Sequence, residues 1–271
     1  MPFCPYCGEL LADDATYCSH CGKDLKETTY EPQRKGLVEH LKFALNLSIK
    51  NPIIFIPEII GSILLQGIYY GFGRAIASSD FRSYFESLMA TRVSYVQYDY
   101  PDIPPEAMNT FLIIGLAVII GVFLVAGISG LFTFANIKMI FDCYNGEAAS
   151  LGNAFSYVRG RLGILFLGSI IANIFGVTII LLPAAFFTYV IMVVDEAGIR
   201  ESLSKGFKLF MDNILASIAI MILFYVSKIL VGYIPYISDQ VFAIPSGVII
   251  AAILDMYINQ KDRKYLKGRF M

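Results

Sequence analysis

Tryptophan is absent from this 271-residue chain, histidine occurs twice, and only 16 % of the residues are charged. Two histidines, neither in a polar cluster, leave hydrolytic catalysis little to work with. No P-loop, dinucleotide fingerprint or nucleophile–base constellation is present in the sequence, so the chain is expected not to be an enzyme. Lysine and arginine are missing from residues 1–22, which carry Glu9, Asp13 and Asp14 instead. Phosphate binding runs on basic side chains, so no nucleic-acid partner is expected there.

Charge is scarce because apolar residues take its place: 56 % are hydrophobic and the mean hydropathy is +0.63. Soluble globular chains hold roughly 45–50 % apolar and about 25 % charged residues. Several apolar runs here reach the roughly 20 residues needed to cross a bilayer. The first begins near Asn51, behind an opening stretch of cysteine turns, and is expected to act as its own insertion signal.

Four of the five cysteines stand in that opening stretch, as Cys4-x2-Cys7 and Cys18-x2-Cys21 with ten residues between the pairs, each pair followed by a glycine, Gly8 or Gly22. Two cysteines three positions apart can point at one ion from a tight turn, with glycine supplying the unusual backbone angles. Two such knuckles give tetrahedral S4 coordination, the closed arrangement of a structural zinc site, which leaves no open position for catalysis. Disulfides are the competing reading, disfavoured in a cytosolic fragment this short and symmetric, and iron is the alternative ion. The gap is shorter than the ~15–20 residues of the common four-cysteine pattern, so the fold must be minimal. His20, inside the second pair, is a less suitable ligand than its cysteine neighbours. C-P-Y-C-G…C-S-H-C-G resembles the short zinc-ribbon domain at the N-terminus of many prokaryotic membrane proteins. The resemblance implies Cys4, Cys7, Cys18 and Cys21 as ligands of one structural zinc ion. Cys143 stands alone and is expected to be packing.

The chain then divides into a ribbon (1–23), a charged linker (24–36) and a helical membrane domain (37–271). Spans are expected at about 52–73, 109–133, 162–179, 181–194, 214–233 and 241–259. As one helix, 162–194 would be ~50 Å long at about 1.5 Å per residue, too long for a ~30 Å hydrocarbon core. Leu182-Pro183 favours a hairpin there. Basic residues gather before the first span, around 138–161, around 199–208 and after 260. The positive-inside rule then places both termini in the cytoplasm of a protein of the cell membrane, with six spans, or five as the alternative. The fold class is thus an all-α polytopic membrane protein with interfacial helices and a small ribbon.

One pattern recurs at three span entries: Leu41-x2-Ala44-Leu45…Asn51, Leu151-x2-Ala154-Phe155…Arg161 and Leu203-x2-Gly206-Phe207…Asn213. Positions 0, 3 and 4 share a helical face, and each unit ends on a polar residue before an oily run. The first unit carries Val38, Leu41, Leu45 and Ile49 on one face, which predicts an amphipathic helix at the membrane surface; a soluble helix covering the ribbon is the alternative. F-D-C-Y-N-G-E-A-A-S-L-G-N-A-F-S-Y-V-R-G-R and V-V-D-E-A-G-I-R-E-S-L-S-K-G-F-K-L-F-M-D-N resemble the membrane domain attached to some glycerophosphodiester phosphodiesterases and related membrane domains of unknown function. Gly206 departs from the Ser or Ala commoner there. No phosphodiesterase domain accompanies the resemblance, so that activity is not implied.

Inside the spans, Glu58, Lys228 and Asp255 are candidate functional groups by default, but Lys228 falls at the opposite depth from the two acids and no buried pair is expected. His40 is expected at the surface, Asn136 and Asn173 in interhelical hydrogen bonds. The pairs Gly67/Gly71, Ala117/Gly121 and Ala126/Gly130 suit close helix packing, within the chain or in a homo-oligomer. The tyrosine-rich stretch 91–106 is expected to cap the membrane outside. Two roles follow. One is a non-enzymatic membrane protein whose ribbon docks a cytoplasmic protein partner or stabilises assembly. The other is a transporter or lipid-handling protein, which calls for polar residues converging at mid-bilayer, and the sequence offers few.

Overall fold

The computed structural model describes residues 17–22, 35–78 and 105–269. Cys4, Cys7, nearly all of the linker and nearly all of the stretch 91–106 lie outside them. The chain divides into two compact units, Met1–Gly36 with Ile258–Met271, and Leu37–Tyr257. In the first, the described part of the ribbon is a turn at residues 17–22.

The second unit is helical: α1 (Leu37–Lys50), α2 (Ile56–Ser78), α3 (Pro105–Tyr144), α4 (Leu151–Gly160), α5 (Leu162–Val177), α6 (Leu182–Val194), α7 (Ile199–Asp212), α8 (Ile214–Gly232) and α9, which starts in this unit and runs Ser238–Arg269. Four segments among the described residues are long and apolar enough to cross a membrane: Pro52–Gly71, Gly115–Tyr144, Ile214–Gly232 and Ser238–Lys261. Counting the bent pair α4–α5 as one span makes five. The six expected spans are therefore not all matched. The shortfall lies in 162–194, where α5 has 16 residues and α6 has 13. At about 1.5 Å per residue neither helix alone covers a ~30 Å core. A 3-10 turn at Ile179–Leu181 separates the two, and Pro183 sits in the first turn of α6, where its missing N–H has no partner to lose.

Helix α6 is the centre of the domain. Pro183–Ala185 and Phe187–Val193 are all buried, while α2 and α8 expose much of their oily surface. In water such a surface would drive aggregation; in a bilayer it is the lipid-facing wall.

The three recurring segments form α1, α4 and α7, and all three stop in the same way. Asn51, Arg161 and Asn213 carry φ of −131°, −123° and −130°, each breaking one helix directly before the next. The polar side chain at each break answers the helix it ends. Asn51 Nδ2 donates to the Leu47 carbonyl at 3.1 Å and Asn213 Nδ2 to the Leu209 carbonyl at 3.0 Å. Arg161 donates to the Tyr157 hydroxyl at 2.7 Å and to the Met192 and Glu196 carbonyls at 2.8 and 2.7 Å. Last-turn carbonyls have no intrahelical partner, so these side chains stabilise the bend. At the second of them the axis turns by 88°. Ser150 opens α4 by accepting the Asn153 N–H at 3.3 Å.

Each of these helices faces the protein with small residues and faces outward with oily ones. Helix α1 buries His40, Ala44 and Ser48 but leaves Val38, Leu45 and Ile49 62 %, 51 % and 69 % exposed. Ala154 and Gly206 are buried, while Phe155 and Phe207 are exposed. Small residues permit close approach of each helix to the rest of the domain. Gly206 is the tightest case: a Cβ there would lie 2.6 Å from Thr188 Oγ1 and 3.1 Å from the Ala184 carbonyl oxygen. A side chain larger than glycine would therefore force α7 away from α6 here.

Candidate functional site

The ribbon's second knuckle is described. Cys18 is buried, and Cys21, His20 and Gly22 are exposed. Gly22 has φ +71°, the left-handed region that favours glycine, and its N–H donates to the Cys18 carbonyl at 2.8 Å. This is the tight turn that lets two cysteines three positions apart face one ion, so the residues fit a thiolate metal centre. Among the described residues no group of three or more metal-ligating side chains is assembled; Cys4 and Cys7 lie outside that set.

A second constellation joins the C-terminal ends of α3 and α6 to the middle of α9. Each carries an aspartate: Asp142, Asp195 and Asp255. His40 Nδ1 lies 2.6 Å from Asp255 Oδ2, both residues buried, and Tyr144 from α3 donates to Asp255 Oδ1 at 3.4 Å. Tyr257 from α9 donates to Asp195 Oδ2 at 2.6 Å. Lys205 reaches the same oxygen at 3.0 Å and Glu201 at 2.7 Å. Asp142 is paired with Lys138 one turn before it. Asp142-Cys143-Tyr144 and Asp255-Met256-Tyr257 are thus two copies of one device, an acid with a tyrosine two residues on that reaches the next helix's acid. In the third copy Ala197 takes the tyrosine's place.

This overturns two expectations. His40 is not a surface residue, and Asp255 does have a buried partner. A polar group taken out of water needs a hydrogen-bond partner, and here the histidine on α1 supplies it. The pairing spans 215 residues, which hides it in the sequence; the repeated Asp-x-Tyr at the ends of two oily runs is the signal that points to it. Lys205, on the surface helix α7, is held above the usual lysine value by its hydrogen bond to Glu201 and then by that to Asp195.

The third constellation lies within the oily bundle. Asn136 Nδ2 donates to the Ile54 carbonyl at 2.7 Å. Ser169 donates to the Ala126 carbonyl at 2.7 Å, and Asn173 Nδ2 reaches the Tyr189 hydroxyl at 2.9 Å and the Ala126 carbonyl at 3.3 Å. Tyr189 donates to the Ser169 carbonyl at 3.3 Å. Both asparagines therefore join helices, as the sequence predicts. Ala126/Gly130 serves packing within the chain: a Cβ on Gly130 would lie 2.2 Å from Ser169. Gly67, Gly71 and Gly121 have nothing within 4 Å of a would-be Cβ. Glu58 lies beside Thr133, whose hydroxyl donates to the Ser129 carbonyl at 3.4 Å, and interacts electrostatically with Tyr189. Polar groups from α2, α3, α5 and α6 therefore converge more than the sequence indicates. Lys228 is exposed, with its ammonium 5.9 Å from the Phe242 ring centre, and Cys143 is half-buried.

A family model for a zinc-ribbon domain matches residues 3–25. The match confirms the ribbon as a zinc-binding type of domain and covers that stretch alone. No curated protein and no solved structure matches the chain. The likeness of residues 37–260 to the phosphodiesterase-associated membrane domain finds no support among these comparisons.

Proposed function

We propose that this is a multi-pass protein of the cell membrane, without enzymatic activity, whose ribbon holds one structural zinc ion through Cys4, Cys7, Cys18 and Cys21 and docks a protein partner in the cytoplasm. The observation that carries the metal assignment is the Cys18–Gly22 turn, with its left-handed glycine, inside the stretch the zinc-ribbon model matches. A module this small has no hydrophobic core to fold around, so the ion supplies its stability. The acidic surface of residues 1–22 favours a protein partner over nucleic acid. In the membrane domain, α5 and α6 are the two limbs of a hairpin, each too short to cover a full-thickness core, and counting both as spans gives six with both termini inside. Exposed oily residues on α1, α4 and α7 support placing those helices in the membrane surface.

Metal analysis of purified protein is expected to find one zinc per chain, lost in Cys18→Ser; protein without bound metal would overturn the ribbon assignment. Crosslinked co-purification is expected to recover a partner with the intact chain and not with a version lacking residues 1–23. Recovery from both would move the docking surface to the membrane domain. A second reading, transport of a small molecule or lipid, is favoured by the polar side chains of four helices that meet around Glu58 and Tyr189.

A further inference from the structure

The oily interior contains an acid with no cation beside it. Glu58 Oε1 is buried and has no hydrogen-bond partner, and among the described residues no lysine, arginine or histidine pairs with this carboxyl. Asn136 Oδ1 is the second such atom. Its amide nitrogen is spent on the Ile54 carbonyl, so the oxygen is the free end. Ile54 and Glu58 stand one turn apart at the start of the first span, facing Asn136 and Thr133 on α3. The two unpartnered oxygens thus occupy neighbouring rungs of one interface. The facing groups can be named. From α3 they are the uncharged Thr133 and Asn136, and from α6 the titratable one is the Tyr189 hydroxyl.

A lone carboxylate out of water costs far more than a neutral acid, so a single positive charge must arrive from outside the side-chain set. An alkali ion asks for about six oxygens around it, as hard cations do. A proton asks for one, plus an acceptor for the O–H it creates. Two free oxygens suit the second.

We propose that Glu58 is a proton-binding site inside the membrane domain, with Asn136 lending the polar wall beside it. A hydronium ion gives up its proton, an O–H bond forms at the Glu58 carboxyl, water leaves, and the site passes from a charge of −1 to neutral. Release reverses each step. Ionisable groups in a membrane interior that can take both forms are the parts from which proton-linked membrane proteins are built. This site is independent of the ribbon, and its failure would leave the zinc assignment untouched.

The test is infrared difference spectroscopy on the full chain in liposomes, between about pH 5 and about pH 9, the range over which carboxyl groups in proteins titrate when their surroundings hold them. A protonated-carboxyl C=O band is expected at the acid end, falling reversibly as pH rises and missing in Glu58→Gln. Asn136→Ala is expected to raise the proton activity needed for half-occupancy by about tenfold, the worth of one hydrogen bond. The wild-type titration needs no variant to fold, and Glu58→Gln keeps the side chain's shape. Absence of a Glu58-dependent band would overturn the proposal, as would a band indifferent to pH. A band abolished by sodium at fixed pH would also overturn it, since the occupant would then be an alkali ion.

Discussion

Asp255 and Glu58 are both acids on oily helices, and the domain treats them in opposite ways. Asp255 has His40 at 2.6 Å and the Tyr144 hydroxyl on its other oxygen, so both of its oxygens are occupied. Glu58 has Thr133 beside it and leaves Oε1 without a partner. Asp255 is fully buried, while Glu58 is half-buried with its Oε1 shut away from solvent. What separates them is whether the fold supplies partners for both oxygens. A carboxyl group with both oxygens engaged is part of the structure; one with an oxygen left open is available for binding.

The sharpest way to break this contrast is to remove the partner from the paired acid. His40→Ala removes the buried partner of Asp255 Oδ2 and leaves the Tyr144 hydroxyl on Oδ1, and is expected to cost roughly 3–5 kcal/mol, as for other buried pairs broken on one side. Thermal unfolding in detergent reads this, and the double variant with Asp255→Ala should lose less than the two single losses added together. Full additivity would mean the two side chains do not act as a pair. Next in size is Tyr257→Phe, which strips one hydrogen bond from the Asp195 carboxylate and is expected to cost about 1.5–3 kcal/mol. A neutral result would reduce the link between α9 and α6 to packing.

Gly206→Ala probes the frame around both acids, because the added methyl meets Thr188 and the Ala184 carbonyl. Overpacking of this kind is expected to cost about 1–3 kcal/mol in the same melting experiment. Glu58→Gln should change stability by less than about 1 kcal/mol, since the isosteric amide keeps the side chain's shape and breaks no ion pair. A loss as large as that of His40→Ala would place Glu58 among the structural acids and dissolve the contrast.

The smallest effect belongs to the surface. Lys205 is nearly half exposed, and Lys205→Met should cost under about 1 kcal/mol despite two carboxylate partners. Its folded-state value lies above the ordinary 10.5. The pair's contribution is therefore complete below that ordinary value and fades only as pH rises through the higher folded one. The stability difference between wild type and Lys205→Met should stay constant from about pH 7 to about pH 10 and shrink above that. A difference that shrinks nearer neutrality would assign the effect to another group.

The ribbon and the three entry helices were legible because their signals are local. Cys18-x2-Cys21-Gly22 writes its turn in five consecutive residues, and a period near 3.6 with a polar stop at Asn51, Arg161 or Asn213 writes a helix and its end. The facing of those helices was not legible. Spacing puts Val38, Leu45 and Ile49 on one oily face, yet they are exposed, and the side carrying His40, Ala44 and Ser48 is buried. In water the oily side of a helix must turn inward; against a bilayer lipid covers it equally well, and the interior goes to whatever packs closest.

The residue string is enough to establish a cysteine clip, an apolar chain longer than any soluble core needs, and amphipathic segments at three span entries. Each rests on composition or on neighbours a few positions apart. Which acid is neutralised and which is left open rests on pairs such as His40 with Asp255, 215 residues apart. A carboxylate's partner is set by where helices meet, and that meeting depends on the whole chain's packing, with Gly206 and Gly130 allowing the approach.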